Sequence, residues 1–245
     1  MIFLSILRED SDRMQAILQR GGGHADNGPD TSPRRRAVQA LLQALLEESM
    51  GLKGCYRLAY EDSGRPRLHG PAGILLPSVS MTHSGGWVGC AATCDGDLGV
   101  DLEVAKAGGR DFGALAEAAF GENETASVRH GGASTFYRIW TLREARAKAL
   151  GTGFAAVTDR QDHVPRFTSA DRILAALGPE EWFWLADEPL PGLHLALALR
   201  LARPQGARSP QDSTGANHST IQVLKCHVSP ELIFSRTSGI DDARP

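Results

Sequence analysis

The chain has 245 residues, of which 42% are apolar and 22% charged, with a net charge of −3. This is ordinary globular usage, sufficient for a buried core, and the length suits one large domain or two small ones. The near balance of 26 basic and 29 acidic residues excludes a grossly basic nucleic-acid coat and an acidic tail protein, while leaving room for a local basic patch.

Residues 1–20 predict a short strand and then a short helix from near Ser11, and 21–31 is glycine-bearing loop. A strong helix follows. Ser32 suits its N-cap and Pro33 its first position, Val38, Leu41, Leu42, Leu45 and Leu46 recur at helical spacing, and Gly51 suits its end. Arg34, Arg35 and Arg36 sit in its first turn, against the helix dipole, which fits either surface solubility or a nearby anion. Residues 56–61 predict a strand closed by a turn at 62–66. Residues 79–83, 87–93 and 98–103 predict three strands of one antiparallel meander, with turns at Ser84-Gly85-Gly86 and Asp95-Gly96.

In the second half, 112–120 and 134–150 predict helices, the latter capped by Ser134 and stopped by Gly151. A third helix is expected over 169–177, then strands over 181–186 and 193–201. Residues 204–245 lose apolar periodicity and are expected to be a largely disordered tail, with an apolar island at 221–224 able to dock. Cys55, Cys90, Cys94 and Cys226 form no C-x-x-C pair and no zinc-ribbon spacing, and Cys90 and Cys94 are expected as buried thiols. The apolar opening is too short for a signal peptide, and no stretch approaches the ~20 apolar residues of a membrane span. A cytoplasmic protein is expected.

Three segments carry chemistry. In Gly99-Val100-Asp101-Leu102-Glu103 the strand period puts Asp101 and Glu103 on one face and Leu102 toward the core. Two adjacent carboxylates repel unless a cation or a shared proton lies between them, so the pair is either a solvated edge or a site for a hard divalent ion. In the second segment Trp140, Glu144 and Lys148 form one helical stripe, either an exposed ion pair or a partly buried polar site beside the indole. In the third, Ser80-Met81-Thr82-His83-Ser84-Gly85, the imidazole at a strand end is either structural or aimed out of the sheet. Ser84 beside His83 makes a poor hydrolase, because neighbours on a strand face apart and no G-x-S-x-G elbow is present.

Together with Gly64-Arg65-Pro66, these segments resemble the 4′-phosphopantetheinyl transferase superfamily, in its longer single-chain type. The resemblance covers roughly residues 32 to 200. It rests on Thr82-His83-Ser84-Gly85, on Gly99-Val100-Asp101-Leu102-Glu103, and on the run from Phe136 through Trp140, Arg143, Glu144 and Lys148 into Gly151-Thr152-Gly153. It implies an α+β fold of two similar subdomains in pseudo-twofold relation, 1–108 and 109–203, with the active cleft between them and 204–245 as the tail. It implies transfer of the phosphopantetheine arm of coenzyme A to a serine of an apo acyl or peptidyl carrier protein, in fatty acid, polyketide or nonribosomal peptide synthesis. Adenosine 3′,5′-bisphosphate is released. Mg²⁺ would be held by Asp101, Glu103 and Glu144, with Glu144 and Lys148 catalytic. Arg36, Arg65, Thr82, His83 and Lys148 would bind coenzyme A. A monomer is expected, with neither a nucleic-acid nor a membrane partner.

The chain departs from the family pattern in places. Arg143 stands where a lysine commonly precedes the motif glutamate, Thr82 where serine is usual, and Arg65 where lysine is common. Residues 121–133 are short and glycine-bearing, so the carrier-facing helices there are expected to be altered. Two other readings stay open on sequence. One is a non-catalytic coenzyme A- or carrier-binding module, and the other is a different Mg²⁺-dependent phosphotransferase or phosphate-ester hydrolase.

Overall fold

The alternation of apolar residues along the first strand decides the layering of the molecule. In β1 (Ile2–Arg8), Ile2, Leu4 and Ile6 turn to one face, while Leu7 lies on the other. The computed structural model describes residues 1–20, 32–54, 56–106, 108–165, 174–177, 182–201 and 223–228, with 174–177 and 223–228 described by backbone alone. The expected loop at 21–31 lies outside the described residues.

Helix α1 (Asp12–Arg20) and helix α2 (Pro33–Met50) follow β1. Ser32 caps α2 as expected, its Oγ accepting from the Arg35 N–H at 3.2 Å, and the helix ends at Gly51. A hairpin of β2 (Arg57–Tyr60) and β3 (Pro66–His69) leads to β4 (Ser78–Ser84), β5 (Trp87–Thr93) and β6 (Gly96–Val104). Helix α3 (Phe112–Ala119) is capped by Asp111, as its oxygen accepts from the Ala114 N–H. Helix α4 (Glu122–Leu150) breaks its helical path at Gly132, and a 3₁₀ turn, Phe154–Val157, comes after it. Strands β7 (Leu174–Leu177), β8 (Trp182–Leu190), β9 (Leu193–Leu201) and β10 (Val223–Val228) complete the described chain.

The strands form two four-stranded sheets, ordered β10-β1-β5-β4 and β6-β9-β8-β7. Between them lies a core of Ile2, Leu4 and Ile6 against Leu98, Val100, Leu102, Leu195, Leu197 and Leu199. The outer face of the first sheet buries Val88, Cys90 and Ala92 under α1 and α2. The outer face of the second is built of small residues, Ala186, Ala196 and Ala198, on which Leu142, Ala145 and Ala149 of α4 rest. The result is four layers, helix–sheet–sheet–helix, an α+β architecture.

Five expectations are corrected. Residues 98–103 are not the third strand of a meander: β6 pairs antiparallel with β9 over nine positions, from Gly96↔Leu201 to Val104↔Leu193. Its other side meets β4 through side chains. The hydroxyls of Ser78, Ser80, Thr82 and Ser84 accept the N–H groups of Leu98, Val100, Leu102 and Val104 at 3.0–3.1 Å. Residues 174–177, expected to be helical, pair with β8 instead, because a short apolar run has no period of its own and tertiary pairing decides it. Within the expected tail, β10 pairs in parallel with β1, Ile2↔Val223 and Phe3↔Leu224 among them, so the island at 221–224 docks at its described end. Finally, Cys94 is exposed, since β5 ends at Thr93, whereas Cys90 is buried. Ser134 also proves to be no cap: the helical path resumes directly after the break at Gly132, so Ser134 already lies inside the helix, and its hydroxyl donates to Glu188 Oε2 at 3.3 Å. Residues 122–131 are helical.

Candidate active site

A missing side chain brings helix and sheet together. A Cβ on Gly99 would lie 1.8 Å from the Ala145 carbonyl oxygen and 2.7 Å from the Ala149 nitrogen. Only glycine lets α4 settle this closely on β6, and the contact carries Glu144 and Lys148 to the level of Asp101. Lys148 Nζ donates to Asp101 Oδ1 at 2.6 Å and to the Val100 carbonyl at 3.1 Å. Asp101 and Glu103 do share a face of β6, as the strand period requires.

The seam with β4 holds these acids from the other side. Thr82 Oγ1 donates to Asp101 Oδ1 at 3.0 Å, and Ser84 Oγ donates to Glu103 Oε2 at 2.8 Å. Asp101 is 2% exposed, yet its Oδ2 has no hydrogen-bond partner among the described residues. The chain turns back at once after Ser84, where a Cβ on Gly85 would meet Val104 Cγ2 at 2.6 Å.

Negative charge is in excess here, with three carboxylates against the Lys148 ammonium. Burial, then repulsion from Asp101 and Glu103, pushes Glu144 up to about 7, against the pull of Lys148 and of a hydrogen bond from Trp140. Burial, helped by Asp101, also raises Glu103 above the usual carboxylate range, although the Ser84 hydroxyl opposes it. His83 is pushed down by burial and by the charges of Arg34 and Lys148, and so stays neutral near pH 7.

Glu144 and Lys148 open onto a cavity of about 270 Å³. Arg65, Ser80, Met81, Gly151 and Phe154 also line it. The Arg65 guanidinium is buried and bound to Asp97 Oδ1 at 2.6 Å, and its Nε has no partner among the described residues. Trp140 packs against Phe136 and Phe154, with ring centroids 6.0 and 5.9 Å away.

The structure therefore gathers Asp101, Glu103, Glu144 and Lys148, with His83 within their field, and sets Arg65 across the cavity. Arg36 is exposed on α2, and of the three arginines it is Arg34 whose charge reaches His83. Thr82, expected in the nucleotide pocket, is 5% exposed, with its hydroxyl engaged in the seam on both sides. Sequence reasoning passed over Asp97 as the partner of Arg65 and Ser84 as the partner of Glu103. The alternation of hydroxyls at 78, 80, 82 and 84 was the available signal for the second.

Among the described residues no three potential ligands stand close enough to make a ready-formed metal cluster. The donor set nevertheless suits a hard divalent cation. It offers carboxylate oxygens, a buried Asp101 oxygen without a partner, and like charges that a cation would relieve.

A family profile for the 4′-phosphopantetheinyl transferase superfamily matches residues 97–198, the segment that carries all three acids and Lys148. Over that segment, about two-fifths of its length, the chain is similar to that superfamily. It is 28% identical over 139 residues to the 4′-phosphopantetheinyl transferase HetI of Nostoc sp. PCC 7120, covering 54% of this chain and 57% of that protein. It is 30% identical over 115 residues to a Haemophilus influenzae protein provisionally named 4′-phosphopantetheinyl transferase, covering 44% and 46%. The chain thus spans about half the length of these superfamily relatives.

Proposed function

We propose that the chain transfers the 4′-phosphopantetheine arm of coenzyme A to a serine hydroxyl of an apo acyl or peptidyl carrier protein, releasing adenosine 3′,5′-bisphosphate. The observation that carries this reading is the under-neutralised group of Asp101, Glu103 and Glu144, with Lys148, beside a cavity, in a segment similar to this superfamily. Asp101, Glu103 and Glu144 would hold Mg²⁺, which when bound would place positive charge against the diphosphate oxygens of coenzyme A.

The remaining roles fall to the chain itself. Lys148 supplies a second cation to the same phosphates. Glu144, through the oxygen not given to the cation, accepts the serine proton as the hydroxyl oxygen bonds to phosphorus and the bond to the adenosine bisphosphate breaks. Arg65 contacts the nucleotide from across the cavity. Neutral His83 donates to a phosphate oxygen, and a phosphate beside it would draw its pKa back up. The exposed start of α2, Arg36 together with Arg34, meets the 3′-phosphate. Thr82 acts through Asp101. On the same reading, 1–108 and 109–203 are two related α+β halves of one monomer.

The test is intact-mass spectrometry of a panel of apo acyl and peptidyl carriers incubated with the chain, coenzyme A and Mg²⁺. A gain equal to the phosphopantetheine arm, lost on chelation, is expected. Binding of coenzyme A with no carrier modified would leave only a non-catalytic module. Turnover of small phosphate esters without a carrier would indicate another phosphotransfer enzyme.

A further inference from the structure

The seam between β4 and β6 has four rungs, which are not alike. At the first two, the hydroxyls of Ser78 and Ser80 hold only the N–H groups of Leu98 and Val100. The residue before Val100 is Gly99, and the residue before Leu98 is Asp97, whose carboxylate is given to Arg65. At the last two rungs each hydroxyl works twice. Thr82 accepts from the Leu102 N–H and donates to Asp101, and Ser84 accepts from the Val104 N–H and donates to Glu103.

Asp101 also has Lys148, but among the described residues the carboxylate of Glu103 has Ser84 as its one hydrogen-bond partner. Glu103 is long and half-buried, and ordering such a rotamer-rich side chain costs conformational entropy. A single hydroxyl, itself fixed to the backbone of the next residue, removes that freedom in advance.

We propose that Ser84 is a positioning residue that holds one oxygen of Glu103 to the seam and thereby sets the other to take a divalent cation. This rests on the reading of Asp101, Glu103 and Glu144 as metal ligands. The consequence is that the fourth rung governs ion affinity, whereas the first governs stability alone.

The experiment is a titration of the full chain with Mn²⁺ alone, without coenzyme A, followed by calorimetry and by the free-Mn²⁺ spin-resonance signal. Ser84→Val and Ser84→Thr share one shape and differ by the hydroxyl. Ser84→Val is expected to weaken Mn²⁺ binding about 10-fold or more, the usual effect of losing a group that orients a ligand, and Ser84→Thr to restore it. Ser78→Ala removes a rung and lowers the melting temperature while leaving Mn²⁺ affinity unchanged. Equal affinities in the Val and Thr variants would overturn the proposal, as would an equal loss in Ser78→Ala. A wild-type chain that takes up no Mn²⁺ would bring down the metal reading itself and this inference with it, a result distinct from either of those.

Discussion

Arg143 and Glu144 are consecutive on α4, yet the helix aims them into two polar clusters of opposite character. Arg143 is wholly buried and spends all five of its N–H donors. It binds the carbonyls of Val157, Gln161 and Ala119, Glu124 Oε2 at 2.6 Å and Asp159 Oδ1 at 2.9 Å. Glu124 is equally saturated, its other oxygen accepting from the N–H groups of His163 and Val164. One residue on, Glu144 stands among carboxylates that outnumber their cation, beside an Asp101 oxygen with no partner among the described residues. A saturated buried cluster has nothing left to offer a ligand and serves to clamp the 3₁₀ turn and its loop to α4. An under-neutralised cluster stores repulsion that only a cation or a proton relieves, and so is poised for chemistry. Arg143 thus belongs to the clamp.

Breaking the clamp should produce the largest effect. Arg143→Met leaves Glu124 buried without its cation, at a cost of about 3–5 kcal/mol in denaturant unfolding. Arg143→Lys should recover little, because one ammonium cannot span a planar fork of five donors. A loss below about 1 kcal/mol would contradict the clamp. Breaking the cleft should instead spare the fold. Asp101→Asn is expected to slow carrier modification by at least about 100-fold with the melting temperature near that of the wild type.

The smallest effect comes from relieving repulsion, and it depends on pH. Glu144 titrates near 7 in the folded chain against 4.5 ordinarily, so the folded state binds its proton more tightly between those values. The stability it contributes is complete below pH 4.5 and is lost as the pH rises through 7. Glu144→Gln should therefore equal the wild type at low pH and exceed it at pH 8 by on the order of 2 kcal/mol, read from thermal unfolding across that range. A gap that did not grow with pH would remove the repulsion from the account.

Local patterns in the chain were enough for several elements. The cap, spacing and stop of α2 all agree, β4, β5 and β9 show their strands plainly, and the two-residue period puts Asp101 and Glu103 side by side. Signals failed where partners lie far away in sequence. Nothing within 98–103 says that β6 should pair with β9, and nothing within 174–177 separates a short strand from a helical fragment. Residues 223–228 sit in a polar stretch, and only the open side of β1 reveals them as a strand.

The site divides in the same way. Residue types and spacing determined the acids, Lys148 and the stripe they share with Trp140, because those follow from covalent sequence and the repeat of one helix or strand. Tertiary structure alone decided that α4 would rest on Gly99, that Arg143 would turn to a clamp while Glu144 turned to the cleft, and that hydroxyls would join two sheets. Each of these depends on the backbone approach of segments distant in the chain, and close approach is set by packing, which no local pattern encodes.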